Sequence, residues 1–409
     1  MLIELSLALL LGVLAGTFTG LAPGIHINLI ASLLLLSRPN PSKDLLLPFS
    51  IFIIAMSITH TFIDFIPSIF LGAPEEDTFL SILPGHELLR DGRGQEAVTL
   101  TLYGALSAMP LIIIISPLYL FALPSFYLEL KSFLPFILIF ISIYIILREK
   151  DILLSSITFL LSGFLGYASF NIPIKEPLFP LLTGLFGLSS LFISLNEKNS
   201  PVKQEILPLK KISLTSQEKR NGFLAALIST PLCSFLPGIG SSHAATLGSE
   251  IITQSKKSFL FLTGIVGTTV MALSFITLIA INKSRSGTAS AIQDLIPNLS
   301  PHLPLIFLTI IISAIFAFII GTYLAKLFAK FINNINYRSL TLVIIYLLIA
   351  LNVNFAIFSY FDNLISFFLH MLVLTSATTL GLFCILSGAK RIQLMGALIL
   401  PTIIFYLFN

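Results

Sequence analysis

Apolar runs of membrane-spanning length govern what this chain can become. At least nine stretches, among them 45–70, 97–123, 257–281 and 304–325, reach or approach the ~20 residues an α-helix needs to cross a ~30 Å hydrocarbon core. Hydrocarbon offers no partner to a bare N–H or C=O, so a chain inside it must close its hydrogen bonds within helices or a sealed barrel. Barrel strands alternate apolar and polar residues, and these runs do not. With 56% hydrophobic and 10% charged residues, no soluble surface can be assembled. The expectation is an all-α polytopic membrane protein.

Two apolar segments are interrupted alike. GLAPGIHINLIASLLL (20–35) and FLPGIGSSHAATLGSE (235–250) share Pro23-Gly24-Ile25 and Pro237-Gly238-Ile239, and the shift of 214 also sets Asn28 against Ser242. Such breaks persist in lipid only where protein, water or a ligand satisfies the freed backbone groups, and a matched pair in two halves is the pattern of a transporter's binding site. After each break a half-helix begins, with Asn28 or Ser242 as the expected N-cap. Its N–H groups and positive dipole end suit an anion. The candidate substrate-binding residues are Pro23, Gly24, His26, Asn28, Pro237, Gly238, Gly240, Ser241, Ser242 and His243. A plainer reading stays open, in which Pro-Gly kinks packed helices and the histidines are buried and hydrogen-bonded without touching a ligand.

Taken in order, the first half reads as a broken segment (5–35), a helix (45–70), a polar stretch (72–96), then helices near 97–123, 132–148, 152–170 and 178–195. A charged link follows at 196–220. The second half repeats the order: a broken segment (221–250), a helix (257–281), a polar stretch (282–303), then helices near 304–325, 339–357, 364–386 and 392–408. A broken segment of about 30 residues is too short for two crossings and suits a re-entrant hairpin. Each half then has one such hairpin plus five transmembrane helices, and five crossings invert the second half. Under that arrangement 17 of the 23 Lys and Arg lie in cytoplasmic links and 6 in outer links, as the positive-inside rule requires. The expected organisation is a first repeat (1–195), a cytoplasmic linker (196–220) and an inverted second repeat (221–409).

Other chemistry finds less support. His60 and Asp64 are four residues apart, hence on one helix face, and ionisable groups in hydrocarbon point to a pathway or to ion coupling; an interfacial pair at the membrane edge is the alternative. Cys233 and Cys384 sit in apolar surroundings and read as reduced packing residues. No spacing supplies three or four convergent zinc ligands, so no metal is expected, and Gly238-Ile239-Gly240-Ser241 lacks the setting of a hydrolase nucleophile. MLIELSLALL lacks a basic n-region, so it reads as part of the mature chain. No nucleic-acid partner and no cofactor are expected.

Three blocks, GTFTGLAPGIHIN (16–28), LGAPEEDTFLSILPGHELLRDGRGQEA (71–97) and FLPGIGSSHAATLGSE (235–250), resemble the TctA family, the large membrane subunit of tripartite tricarboxylate transporters, and especially its shorter archaeal-type members. The middle block is similar to the family's proline-containing loop and its basic glycine-rich turn, here Arg90-Asp91-Gly92-Arg93-Gly94-Gln95. His26 and the cluster Glu75-Glu76-Asp77 depart from the family pattern. The resemblance implies a permease of the cell membrane that carries carboxylates with an ion gradient, Na+ or H+. It also implies a small membrane subunit and an extracytoplasmic binding protein as partners. The leading expectation is a secondary transporter for an organic anion, a di- or tricarboxylate, working by alternating access. The alternatives are a flippase for a lipid-linked phosphate and a membrane enzyme or scaffold subunit without flux.

Overall fold

Runs of Leu, Ile and Phe that close their own hydrogen bonds become helices. In the computed structural model of the protein the described residues (2–22, 27, 30, 31, 34, 43–72, 78–196, 202–332, 337–361 and 363–408) contain helices and no strand. In chain order α1 is Leu2–Leu21, α2 Lys43–Ile63, α3 Phe65–Leu71, α4 Ile82–Arg90, α5 Gly94–Phe121, α6 Leu123–Leu147 and α7 Ile152–Asn171. The next crossing is composite: α8 (Leu178–Leu182), a π-helical stretch (Thr183–Leu188) and α9 (Ser189–Asn196). The second half brings α10 Ser216–Phe235, α11 Ser241–Ile251, α12 Lys256–Ile281, α13 Gly287–Leu295, α14 Leu303–Phe331, α15 Tyr337–Ser359 and α16 Leu364–Ser387. It ends with a 3-10 turn (Arg391–Met395) running into α17 (Gly396–Phe408). Among the described residues 11 helical segments are long and apolar enough to span a membrane, and the chain is a multi-pass membrane protein.

Ten of those segments coincide with the five helices expected in each half, and the eleventh is α1. At 20 residues α1 rises about 30 Å, so the first arm of the first broken segment is long enough to cross by itself. Boundaries shifted where charge was read as a link. Lys131 lies inside α6, which starts at Leu123 rather than near 132, because Pro124 fits a first helical turn and the flanking side chains at Glu129 and Lys131 need not enter the core. Lys326 and Lys330 likewise ride the last turns of α14.

The helices gather into two compact units, each drawing on both halves of the sequence. One contains Met1–Ser125, Ser200–Phe235 and Gly240–Ile335. Within it α1 lies on α2 as α10 lies on α12, α2 packs on α14 as α12 packs on α5, and α13 rests on α2 as α4 rests on α12. Each of these pairings recurs when the first-half helix is exchanged for its second-half counterpart. Where α2 crosses α12, the hydroxyls of Thr61 and Thr268 are 3.2 Å apart. The α5–α12 crossing is at backbone contact: a Cβ on Gly104 would stand 2.0 Å from the Phe261 carbonyl oxygen, and one on Gly264 2.0 Å from that of Thr101. Lipid chains are as apolar as leucine, so such close approach supplies the packing that holds helices together in a membrane.

The other unit contains Phe126–Asn199, Leu236–Ile239 and Asn336–Asn409. Here α17 packs on α7, and α16 on the composite crossing α8–α9, the same exchange again. Glycine again sets the distance, with a Cβ on Gly166 falling 1.9 Å from the Ala397 oxygen and one on Gly381 2.5 Å from the Leu185 oxygen.

On the polar side of the first unit the basic glycine-rich turn is a dock for the linker. Gly92 takes φ +76°, left-handed backbone that favours glycine, and its carbonyl accepts the Glu205 N–H at 2.7 Å. Gln204 Oε1 accepts from Gly94 N at 2.9 Å, and Gln95 exchanges two 3.0 Å bonds with the Leu207 backbone. Glu96, its side chain 4% exposed, receives Arg93 at 2.6 Å and Lys257 at 2.9 Å. Glu96→Gln is expected to lower stability by about 1–2 kcal/mol, because both cations lose a buried anion yet keep access to water. Glu87→Gln, whose partner Lys256 is mostly exposed, is expected to cost less than about 0.5 kcal/mol. Thermal unfolding in neutral detergent measures both.

Candidate functional site

The second break is made by three residues in succession. Pro237 disfavours helical backbone at Leu236, Gly238 turns the chain with φ +76°, and Gly240 leads into α11 in extended conformation (φ −93°, ψ −175°). A side chain at Gly238 would be strained by that φ, and its Cβ would lie 3.0 Å from Thr402 Oγ1. The N-cap of α11 is therefore Gly240, not Ser242 as expected. The extended position falls one residue after Ile239, which leaves Ser241 as the first helical residue and Ser242 as the second. No side chain caps this end.

The start of α11 is buried: Ser241 is 3% exposed, Ser242 1% and His243 1%. Ser242 Oγ is enclosed and has no hydrogen-bond partner among the described residues, although the Ser242 carbonyl accepts Thr246 Oγ1 at 2.9 Å. An enclosed hydroxyl without a partner is costly, and here it stands at the positive end of a helix. Residues 235–249 contain no Lys, Arg, Asp or Glu, so this stretch itself would hold an anion by N–H groups and hydroxyls.

The arms of this break fold back on each other. A Cβ on Gly248 of α11 would meet the Ala225 oxygen and Ser229 Oγ of α10, both at 3.0 Å. At the far end Asn221 Nδ2 donates to the Thr253 carbonyl and Gln254 Nε2 to that of Asn221, each at 3.3 Å. Glu218 is the hub of this latch. It forms a capping box with Thr215, accepts Ser255 Oγ at 2.7 Å, and offers its carbonyl to Ser258 Oγ at 2.7 Å. Burial acts to raise the Glu218 pKa, but the bonds from Ser255 and Thr215 outweigh it and hold the carboxyl below its usual value. Arg220 in the second turn of α10 and Lys256 at the start of α12 lie on the elements joined by these bonds.

Of the first break, Pro23, Gly24, His26 and Asn28 lie outside the described residues, as do Glu75, Glu76 and Asp77. The described residue Ile27 is 2% exposed. His60 on α2 and Asp64 immediately after it are 2% and 5% exposed and lie against the end of α1. His60 Nδ1 is 3.1 Å from Thr19 Oγ1 on the last turns of α1, and a Cβ on Gly20 would stand 3.2 Å from the Asp64 N. Asp64 interrupts the expected single helix, separating α2 from α3, and its carbonyl accepts Ser68 Oγ at 2.8 Å. The pair thus sits against the helix that leads into the first break. Sequence reasoning missed Thr19 and Gln204, and named Gln95 only as part of the basic turn, because single hydroxyls and amides in apolar or linker sequence carry no periodic signal.

A family model described as the tripartite tricarboxylate transporter TctA family matches residues 7–396. An uncharacterized protein of Methanocaldococcus jannaschii is 34% identical over 412 residues, covering 98% of each chain. No solved structure matches the chain.

Proposed function

Because the chain belongs to the tripartite tricarboxylate transporter TctA family, we propose that it is a permease for a small organic anion, a di- or tricarboxylate, which binds at the two Pro-Gly breaks. The carrying observation is the Ser242 hydroxyl, enclosed and unpartnered at the uncapped start of α11. Carboxylate oxygens accept from N–H groups and hydroxyls, and a helix N-terminus favours their charge. The site residues are Pro237, Gly238, Gly240, Ser241, Ser242 and His243, with Pro23, Gly24, His26 and Asn28 as their counterparts.

The two-repeat reading draws support from the helix pairings that recur on exchanging halves. The re-entrant reading draws support from the latch. From Asn221 to Phe235 α10 rises about 21 Å and α11 about 16 Å, so a hairpin latched at the membrane edge brings its tip well inside a ~30 Å core. On this reading repeats 1–195 and 221–409 are inverted about the cytoplasmic linker 196–220 in the cell membrane. Alternating access comes from one repeat moving against the other. His60 and Asp64 couple the movement to Na+ or H+, being ionisable groups buried beside the helix that enters the first break. A small membrane subunit and an extracytoplasmic binding protein are the proposed partners.

Uptake of radiolabelled succinate, malate and citrate into proteoliposomes under a Na+ or proton gradient tests this reading. Gradient-driven uptake that Asp64→Asn uncouples is the expected result, and absence of both uptake and thermal stabilisation by all three acids would overturn it. A flippase for a lipid-linked phosphate is the second reading, favoured by an apolar groove of about 730 Å³ lined by Pro237, Tyr167, Phe170, Pro401 and Phe405. Stabilisation by a polyprenyl phosphate and by none of the acids would select it.

A further inference from the structure

We propose that the turn Lys390–Gln393, at the start of the last helix, binds an anionic phosphate group. The helical segment Arg391–Phe408 begins without a side-chain cap, and its first positions are Lys390 and Arg391. Positive side chains at the positive end of a helix repel its dipole; Glu149 meets Lys390, while Arg391 Nη1 meets no acceptor among the described residues. A second buried donor is unmet beside it. Arg391 Nη1 and Gln393 Nε2 are enclosed and have no acceptor among the described residues, and Gln393 is 1% exposed. Its backbone is held independently, since its carbonyl accepts Ser162 Oγ of α7 at 3.0 Å. A turn fixed by its main chain while its amide donor is unmet is a prepared site for an acceptor.

The surroundings define the ligand. Lys390 pairs with Glu149 of the α6–α7 link at 3.1 Å, which brings that link, Arg148-Glu149-Lys150-Asp151, beside the turn. Four cations against two carboxylates leave the neighbourhood positive. Both links are short and join apolar spans, so they turn at the depth of lipid phosphates. Arg with an amide donor suits the several acceptor oxygens of a phosphate. The group can come from an anionic lipid headgroup or from free phosphate.

The test follows unfolding of the full-length protein in neutral detergent with a thiol-reactive dye, which reaches buried Cys233 and Cys384 only on unfolding. Phosphatidylglycerol is expected to raise the midpoint by about 4 °C, and phosphatidylcholine to leave it unchanged. Arg391→Gln and Gln393→Met each lose at least half of the rise. A rise from millimolar inorganic phosphate that both variants lose also supports the site, with the free ion as its source. Equal rises in wild type and both variants, equal rises from the two lipids, or no rise from either phosphate source overturn the proposal. Gln393→Met removes an unmet donor without opening a cavity, so its midpoint without lipid is expected to be no lower than that of wild type. None of these readouts depends on carboxylate transport.

Discussion

Gly104→Leu and Gly264→Leu are each expected to leave no folded, monodisperse protein after extraction into mild detergent. A Cβ at either position would lie 2.0 Å from a carbonyl oxygen of the facing helix. That atom belongs to a hydrogen-bonded backbone and cannot rotate away. Relief requires α5 and α12 to separate by more than an ångström along their crossing, which breaks contacts over several turns. Overpacking of this kind costs on the order of 3 kcal/mol or more, a large part of a total stability of roughly 5–15 kcal/mol. Gly267, three residues on in α12, is the internal control, because a Cβ there meets nothing within 4 Å. Gly267→Ala is expected to be neutral or to stabilise by up to about 1 kcal/mol through helix propensity. Size-exclusion profiles and unfolding midpoints of the three variants decide the matter, and a well-folded Gly104→Leu protein would sink the account of the crossing.

That contrast marks where sequence stopped informing. Helix 257–281 was legible almost to the residue, because Ser255 caps it and apolar side chains continue to Ile281; the observed helix is Lys256–Ile281. Nothing in the sequence separates Gly264 from Gly267, since which glycine faces α5 is a property of the crossing. The second break was legible as a break, for Pro-Gly cannot continue a helix, but its cap was misassigned. Serine outranks glycine as an N-cap by propensity, whereas Gly240 holds that place through the extended backbone that follows the turn at Gly238. The same limit explains the linker. Its charges mark it as a link, while Gln204 and Leu207 fasten it to the turn around Gly92, through backbone and amide groups that composition does not reveal.

Ser242→Ala is expected to reduce carboxylate affinity by roughly 10- to 100-fold while leaving the ligand-free protein as stable as wild type or slightly more so. Both halves of that expectation follow from one atom. Ser242 Oγ is enclosed and bonds to nothing among the described residues, so deleting it removes an unmet polar group. A hydrogen bond to a charged ligand is worth about 1.5–3 kcal/mol, and 1.4 kcal/mol corresponds to a factor of ten in affinity. A kinked helix without a ligand role gives a different pair of results, unchanged affinity with unchanged or higher stability. Gly238→Leu separates the hydroxyl from the turn that positions it. The left-handed φ and the 3.0 Å approach to Thr402 Oγ1 make that variant lose stability as well as binding. Titrating citrate, succinate and malate against unfolding midpoints gives affinity and ligand-free stability together. If Ser242→Ala binds every acid as tightly as wild type does, the start of α11 is a structural bend and the carboxylate site lies elsewhere.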